Sequence, residues 1–242
     1  MATKCANCPL RQQPLFKDMD AAAVKAMERF KVGELTIEAG TPLLIEGSSS
    51  PQLFTALKGM GTRYKTTANG ERQVINFVLP GDFIGLQAGV MGEMSHAVEA
   101  SSKMTLCVFN RSELWTFFRS NAERAFDITW LSAVEEHFLG EALTSIGQRS
   151  AIEALSWALL RVFNRGEKIG LVQNRTMVLP YRQQDLADAL GLSLVHTNKT
   201  LGKLRDRQLA NWSDGRLTVP DKDKLAAIAG VEPTDAPVRP LM

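Results

Sequence analysis

Apolar and polar positions change rhythm several times along the chain. Leu15, Phe16, Met19, Val24, Met27 and Phe30 fall at helical spacings and predict a short amphipathic helix beginning near Asp18 or Asp20. From Lys31 to about Arg111 the rhythm is that of short strands, with runs such as ELTIEAG, TPLLIEG, LFTALKG and KMTLCVFN broken by recurrent glycines. Asn69-Gly70, between alternating runs, predicts a two-residue hairpin. Many short strands with regular turns make a β-sandwich, roll or barrel.

From Ser112 to Ile146 the helical period returns. Leu131, Val134, Phe138, Ala142 and Ile146 draw one apolar stripe. Such a stripe packs on the chain's own β-domain or pairs with the same helix of a second copy as a coiled-coil-like dimer seam. A second helix, AIEALSWALLRVFNRG, carries Ile152, Leu155, Leu159, Val162 and Phe163 and ends at Gly166 as its C-cap. A domain boundary falls near Gly147.

The stretch LPYRQQDLADALGLSLVHTNKTLGKLRDRQLANWSDGRLTVP predicts a helix-turn-helix. Gln183 to Leu190 makes a short helix with Leu186, Ala187 and Leu190 inside; Gly191 permits a sharp turn and Ser193 caps the next helix. At about 100° per residue, Thr197, Leu201 and Leu204 share one face, and Val195, Asn198, Lys199 and Gly202 share the other. The outer set suits the major groove: Asn pairs with adenine, Lys donates to guanine, and Val touches a thymine methyl. Arg182, Gln183 and Gln184 at the first helix start are placed to grip phosphates. Lys203, Arg205 and Arg207 extend the basic surface, and a turn at Asp214-Gly215 makes a hairpin wing that ends the domain.

Composition adds limits. The chain has 242 residues, 45% hydrophobic and 22% charged, which suits one large globular domain or two smaller ones. Its net charge of +2, from 28 basic and 26 acidic residues, requires any affinity for nucleic acid to come from local clustering. No apolar run resembles a signal peptide or a membrane span, so the expected location is the cytoplasm, with no membrane partner. No Ser/His/Asp set, paired carboxylates, phosphate loop or HExxH motif is evident, so an enzyme is not expected. Three cysteines in a reducing compartment argue against a disulfide framework.

The two halves together resemble the Crp/Fnr family of bacterial transcription regulators, through NGERQVINFVLPGDFIGL in the β-region and QQDLADALGLSLVHTNKTLGKLR in the reading head. The resemblance implies an α+β fold. Residues 1–111 would form a double-stranded β-helix (jelly-roll) sensor of the cyclic-nucleotide-binding type, 112–147 a dimerisation helix, and 148–242 a winged helix-turn-helix. It implies a homodimer on palindromic double-stranded DNA, with RNA polymerase as a further partner. Val195, Asn198 and Lys199 would read bases, and Arg182, Gln183, Ser193 and His196 would contact phosphate. Val195 and Lys199 stand where better-known members carry Glu and Arg, which predicts a different half-site.

Cyclic AMP is disfavoured as the signal, because no Arg lies between Arg72 and Arg111 to meet a cyclic phosphate. Oxygen-sensing members hold an iron–sulfur cluster on four cysteines; here Cys5, Cys8 and Cys107 are present and Pro14 occupies the place of another. Three readings stay open: a cluster or metal at Cys5, Cys8 and Cys107 with Asp18, Asp20 or an external fourth ligand; a reversible Cys5–Cys8 dithiol switch; or cysteines without a cofactor. His96 is either a haem ligand or a packed histidine. The rival to the whole reading is a ligand-binding regulatory module that acts through protein partners and not DNA.

Overall fold

The structure, a computed structural model, describes residues 2–232 and 236–242. Two short 3-10 turns, Cys5–Asn7 and Pro9–Gln12, lead to α1 (Ala21–Phe30). The Asp20 side chain accepts from the Ala23 N–H at 2.7 Å and so supplies the cap that starts α1. Val24, Met27 and Phe30 form its buried stripe, as the spacing predicts.

Eight strands follow: β1 (Lys31–Ile37), β2 (Pro42–Leu44), β3 (Gln52–Lys58), β4 (Gly61–Thr66), β5 (Arg72–Val78), β6 (Phe83–Ile84), β7 (Ala97–Ala100) and β8 (Met104–Asn110), with helix α2 (Leu86–Met91) between β6 and β7. They form two four-stranded sheets, ordered β1-β8-β3-β6 and β2-β7-β4-β5. The interior is apolar, with Phe54, Val78, Ile84, Met94, Val98 and Leu106 all buried. β3 and β8 are buried over most of their length, and Phe30 of α1 stacks on Phe109 of β8 at 4.8 Å between ring centroids. The two-residue hairpin predicted at Asn69-Gly70 does not form. The connection is Thr67–Glu71, closed by Thr67 N–H donating to Glu71 O (2.8 Å). Only Gly70 takes a positive φ there, and a type I′ turn needs one at both central residues.

The helix predicted over 112–146 is broken. A 3-10 turn and α3 (Leu114–Ser120) end at Asn121, where φ is −144° and ψ 72°, and α4 (Ala122–Gln148) then starts afresh. The Asn121 side chain donates to Phe117 O (3.0 Å), a local bond that competes with helix continuation. Next comes α5 (Ala151–Lys168), opened by a Ser150/Glu153 capping box. Gly166 is no C-cap: it lies inside α5, and a Cβ there would sit 2.8 Å from the Met177 thioether. The residue is glycine to let Met177 pack closely.

The remaining elements are β9 (Thr176–Val178), α6 (Gln183–Leu190), α7 (Leu194–Asp206), β10 (Asn211–Ser213), β11 (Arg216–Thr218) and α8 (Lys222–Ala229). The wing is a three-stranded sheet, β10-β11-β9, and does not end the chain's structure. α8, capped by Asp221, follows it and packs on α5. The chain divides into two compact units: Met1–Glu71, Asn76–Glu135 and Val238–Met242 form one, Arg72–Ile75 and Glu136–Pro237 the other.

Candidate nucleic-acid interface

The helix-turn-helix forms for the reasons its sequence suggests. Leu186, Ala187 and Leu190 are buried on α6, and Thr197, Leu201 and Leu204 are buried on α7, so the two inner faces meet each other and α5. Gly191 adopts the left-handed conformation (φ 65°) that ends α6. Ser193 then caps α7, its hydroxyl accepting from the His196 N–H at 3.2 Å. Asp214 (φ 50°) and Gly215 (φ 67°) turn β10 into β11.

The outward set is exposed. Val195 keeps 80% of its surface, and Ser193, His196, Asn198 and Lys199 are also exposed. Gly202 lies among them with nothing within 4 Å of where a Cβ would be. Lys203, Arg205 and Arg207 continue the exposed face at the end of α7 and beyond, and Arg216 is exposed on the wing. Arg182 sits at the N-cap of α6, with its side chain held by Asp185: Nη2 to Oδ1 is 2.8 Å, and the Arg182 N–H donates to Oδ2 at 2.8 Å. Gln183 is half-buried, and exposed Gln184 bonds to Asp188. Sequence reasoning missed Asp185, whose signal is an acid three residues after the cap, and missed β9, too short to give a period.

Residues 34–121 match the cyclic nucleotide-binding domain family, and residues 153–228 match the Crp-like helix-turn-helix domain family. The nitrogen fixation regulation protein FixK of Bradyrhizobium diazoefficiens is 25% identical over 93% of this chain and 93% of its own length. The transcriptional activatory protein AadR of Rhodopseudomonas palustris is 28% identical over 77% of each. In fold, the structure of FixK2 from Bradyrhizobium japonicum superposes with a TM-score of 0.73 at 22% identity, covering 81% of this chain and 96% of that one. The chain belongs to the Crp/Fnr family. Members of this family are transcription regulators and not enzymes. The rival reading, a module acting only through protein partners, is not favoured.

Membership raises the question of a cyclic nucleotide in this Crp/Fnr roll. A cyclic phosphate out of water requires a cation. Between Gly85 and Ala100 there is no Arg or Lys, and the buried side chains of that stretch are Ala88, Met94, His96, Ala97, Val98 and Ala100. Arg63 is already matched: its Nη1 lies 3.2 Å from Glu135 Oε2, which also accepts from Asn76 Nδ2 at 2.9 Å, and its Nη2 donates to Phe83 O. These residues do not fit a cyclic nucleotide. His96 is buried, and that burial, with Arg63 nearby, pushes its pKa down to about 4. It is a neutral, enclosed imidazole at pH 7.

All three cysteines line one cavity of about 30 Å³, with Lys31, Leu241 and Met242. Lys31 Nζ donates to Thr3 O (2.7 Å) and Glu34 Oε1 (2.8 Å). Burial pushes the Cys107 thiol up to about 11 and raises Cys5 as well, so both are protonated at neutral pH. The donors do not fit an iron–sulfur cluster, which takes four thiolates. There are three, the space is that of roughly one or two waters, and neither Asp18 nor Asp20 lines it. Asp20 is committed to capping α1. Among the described residues, no group of three or more His, Cys, Asp or Glu side chains gathers in a metal-holding arrangement.

The predicted dimer stripe divides. Leu131 and Phe138 are buried within the chain, Phe138 stacking on Trp157 at 6.1 Å, so they are not free to meet a partner. Val134 and Ala142 are half-buried. Ile146 is exposed, together with Phe126, Leu139 and Leu143, which the stripe did not include. α4 carries apolar side chains in both settings: Leu131 and Phe138 of the stripe serve the chain's own core, and Ile146 joins the exposed set.

Proposed function

We propose that this chain acts as a homodimer that binds an inverted-repeat DNA site and regulates transcription. One observation carries the reading: Val195, Asn198 and Lys199 stand exposed on a capped helix whose opposite face is fully buried. Asn198 and Lys199 read base edges, and Val195 contacts a thymine methyl. Arg182, Gln183, Gln184, Ser193 and His196 grip the phosphates on either side. Residues 148–242 are the reading head, 112–147 the dimerisation helix and 1–111 the sensor. Paired through α4, two copies present their α7 helices to half-sites about one DNA turn apart. Relatives named as transcriptional activators support RNA polymerase as the downstream partner. The absence of a membrane-spanning helix among the described residues supports a cytoplasmic place of action. Of the readings left open for the cysteines, we take redox chemistry at the thiols of Cys5, Cys8 and Cys107 as the signal; their convergence on one cavity supports it.

A salt titration on a selected inverted repeat and on scrambled duplex tests this. Affinity falls steeply with salt on both, with the repeat bound about 10³-fold or more tighter. Equal affinity for the two duplexes would overturn it.

A further inference from the structure

The last described segment of the chain returns to the β-roll. Val238–Met242 belongs to the first unit, although α7 and α8 belong to the second. Arg239 pairs with Phe16 in a parallel bridge: its N–H donates to Leu15 O (2.8 Å), and its carbonyl accepts from Lys17 N–H (2.9 Å). Its guanidinium lies 3.1 Å from Asp82 Oδ1, both side chains buried, while Asp82 Oδ2 accepts from the Leu79 N–H. Thr55, in the middle of β3, donates its hydroxyl to Met242 O at 2.6 Å. Leu241 and Met242 are buried and wall the cavity that holds Cys5, Cys8, Cys107 and Lys31.

We propose that Val238–Met242 is a strap sealing the thiol cavity, and that strap docking and covalent modification of Cys107 exclude each other. β8, which carries Cys107, is pinned between β1 and β3 in its sheet. The strap is held by two backbone bonds at Arg239 and one hydroxyl bond at Met242. A cavity for one or two waters has no room for an adduct on sulfur. With a low-molecular-weight disulfide, the Cys107 thiol gives up its proton, its sulfur bonds to one sulfur of the reagent, and the other leaves as a thiol. The new group occupies the space of Leu241 and Met242 and lifts the strap. Coupling of this kind is reciprocal, so the docked strap shields the thiol. The cavity and the strap both lie within the first unit. The proposal deepens the redox reading of the thiols and is independent of DNA recognition.

The test uses the full chain, a variant lacking residues 238–242, and Thr55→Val, which removes the hydroxyl held by Met242. Labelling by N-ethylmaleimide is followed at each cysteine by mass spectrometry. Cys107 should label about tenfold or more faster without the strap and at an intermediate rate in Thr55→Val, in proportion to the open population. In the unaltered chain, labelling should also strip hydrogen-exchange protection from the Lys17 and Arg239 amides. Unchanged labelling rates in folded variants, or protected amides after labelling, would overturn the strap. The exchange measurement decides if the shortened chain fails to fold. A strap that shields Cys107 while labelling leaves operator affinity unaltered would uphold this inference and sink the redox reading instead.

Discussion

In the proposed function, the side chains of Asn198 and Lys199 decide what α7 reads. An amide offers a donor and an acceptor together, which matches adenine, and an ammonium offers donors alone, which matches guanine. Asn198→Ala and Lys199→Ala should each cost about 1–3 kcal/mol on the operator and relax preference at particular base pairs. Arg182, held by Asp185 at the start of α6, is proposed to meet phosphate; Arg182→Ala should weaken all duplexes alike and lower the salt slope by about one. Competition binding against a library of half-site variants measures both. His96 tests the sensor by acid. Its folded pKa, about 4, lies below the ordinary 6.5. Unfolded chains therefore take up a proton that folded ones refuse, and stability present above pH 6.5 is lost as pH falls toward 4, by up to about 1.4 kcal/mol per unit. Urea unfolding at pH 7 and 5 should show this loss in the native chain and a smaller one in His96→Gln, whatever the variant's stability at pH 7.

At the scale of elements, α5 illustrates what packing adds to local preference. Gly166 as alanine gains up to about 1 kcal/mol of helix propensity. It also drives a methyl to 2.8 Å from the Met177 Cε and Sδ, on a side chain only 1% exposed. Overpacking of this sort costs about 1–3 kcal/mol, and the thioether end can shift, so a net loss of about 1 kcal/mol is expected. In a Met177→Ala background the clash is gone, and Gly166→Ala should become neutral or stabilising; urea midpoints for the four chains give the coupling directly. The same contrast explains which elements were legible. α6, the Gly191 turn and α7 follow from spacing, a cap and a glycine, all local. The role of Gly166 in α5 depends on Met177, eleven residues along and on strand β9, a contact that the local pattern does not reveal. The break at Asn121 was hidden for a related reason: helical periods on either side hide one side chain bonding back to Phe117. Three thiols brought to one cavity from positions 5, 8 and 107 are likewise a product of the sheet and not of the motif.

For the whole molecule, the two faces of α4 lead to opposite outcomes on mutation. Leu139, Leu143 and Ile146 step by four and then three, the spacing of a coiled-coil seam, and all three are exposed. Leu131 and Phe138 lie on the other face and are buried in the chain itself. Leu139→Glu with Leu143→Glu places like charges opposite each other in a paired helix and costs the single chain almost nothing, because those side chains already meet water there. Sedimentation should then report a monomer whose unfolding midpoint, measured where the native chain is also dissociated, is unchanged. Two reading heads on one duplex gain about 10²–10⁴ in affinity from their linkage. The monomer should lose that factor on an inverted repeat while keeping its affinity for an isolated half-site. Leu131→Glu buries a charge without a partner, so it should unfold the chain at any concentration. A dimer that survived Leu139→Glu with Leu143→Glu would move the pairing surface off α4, and the half-site spacing argued from that helix would go with it.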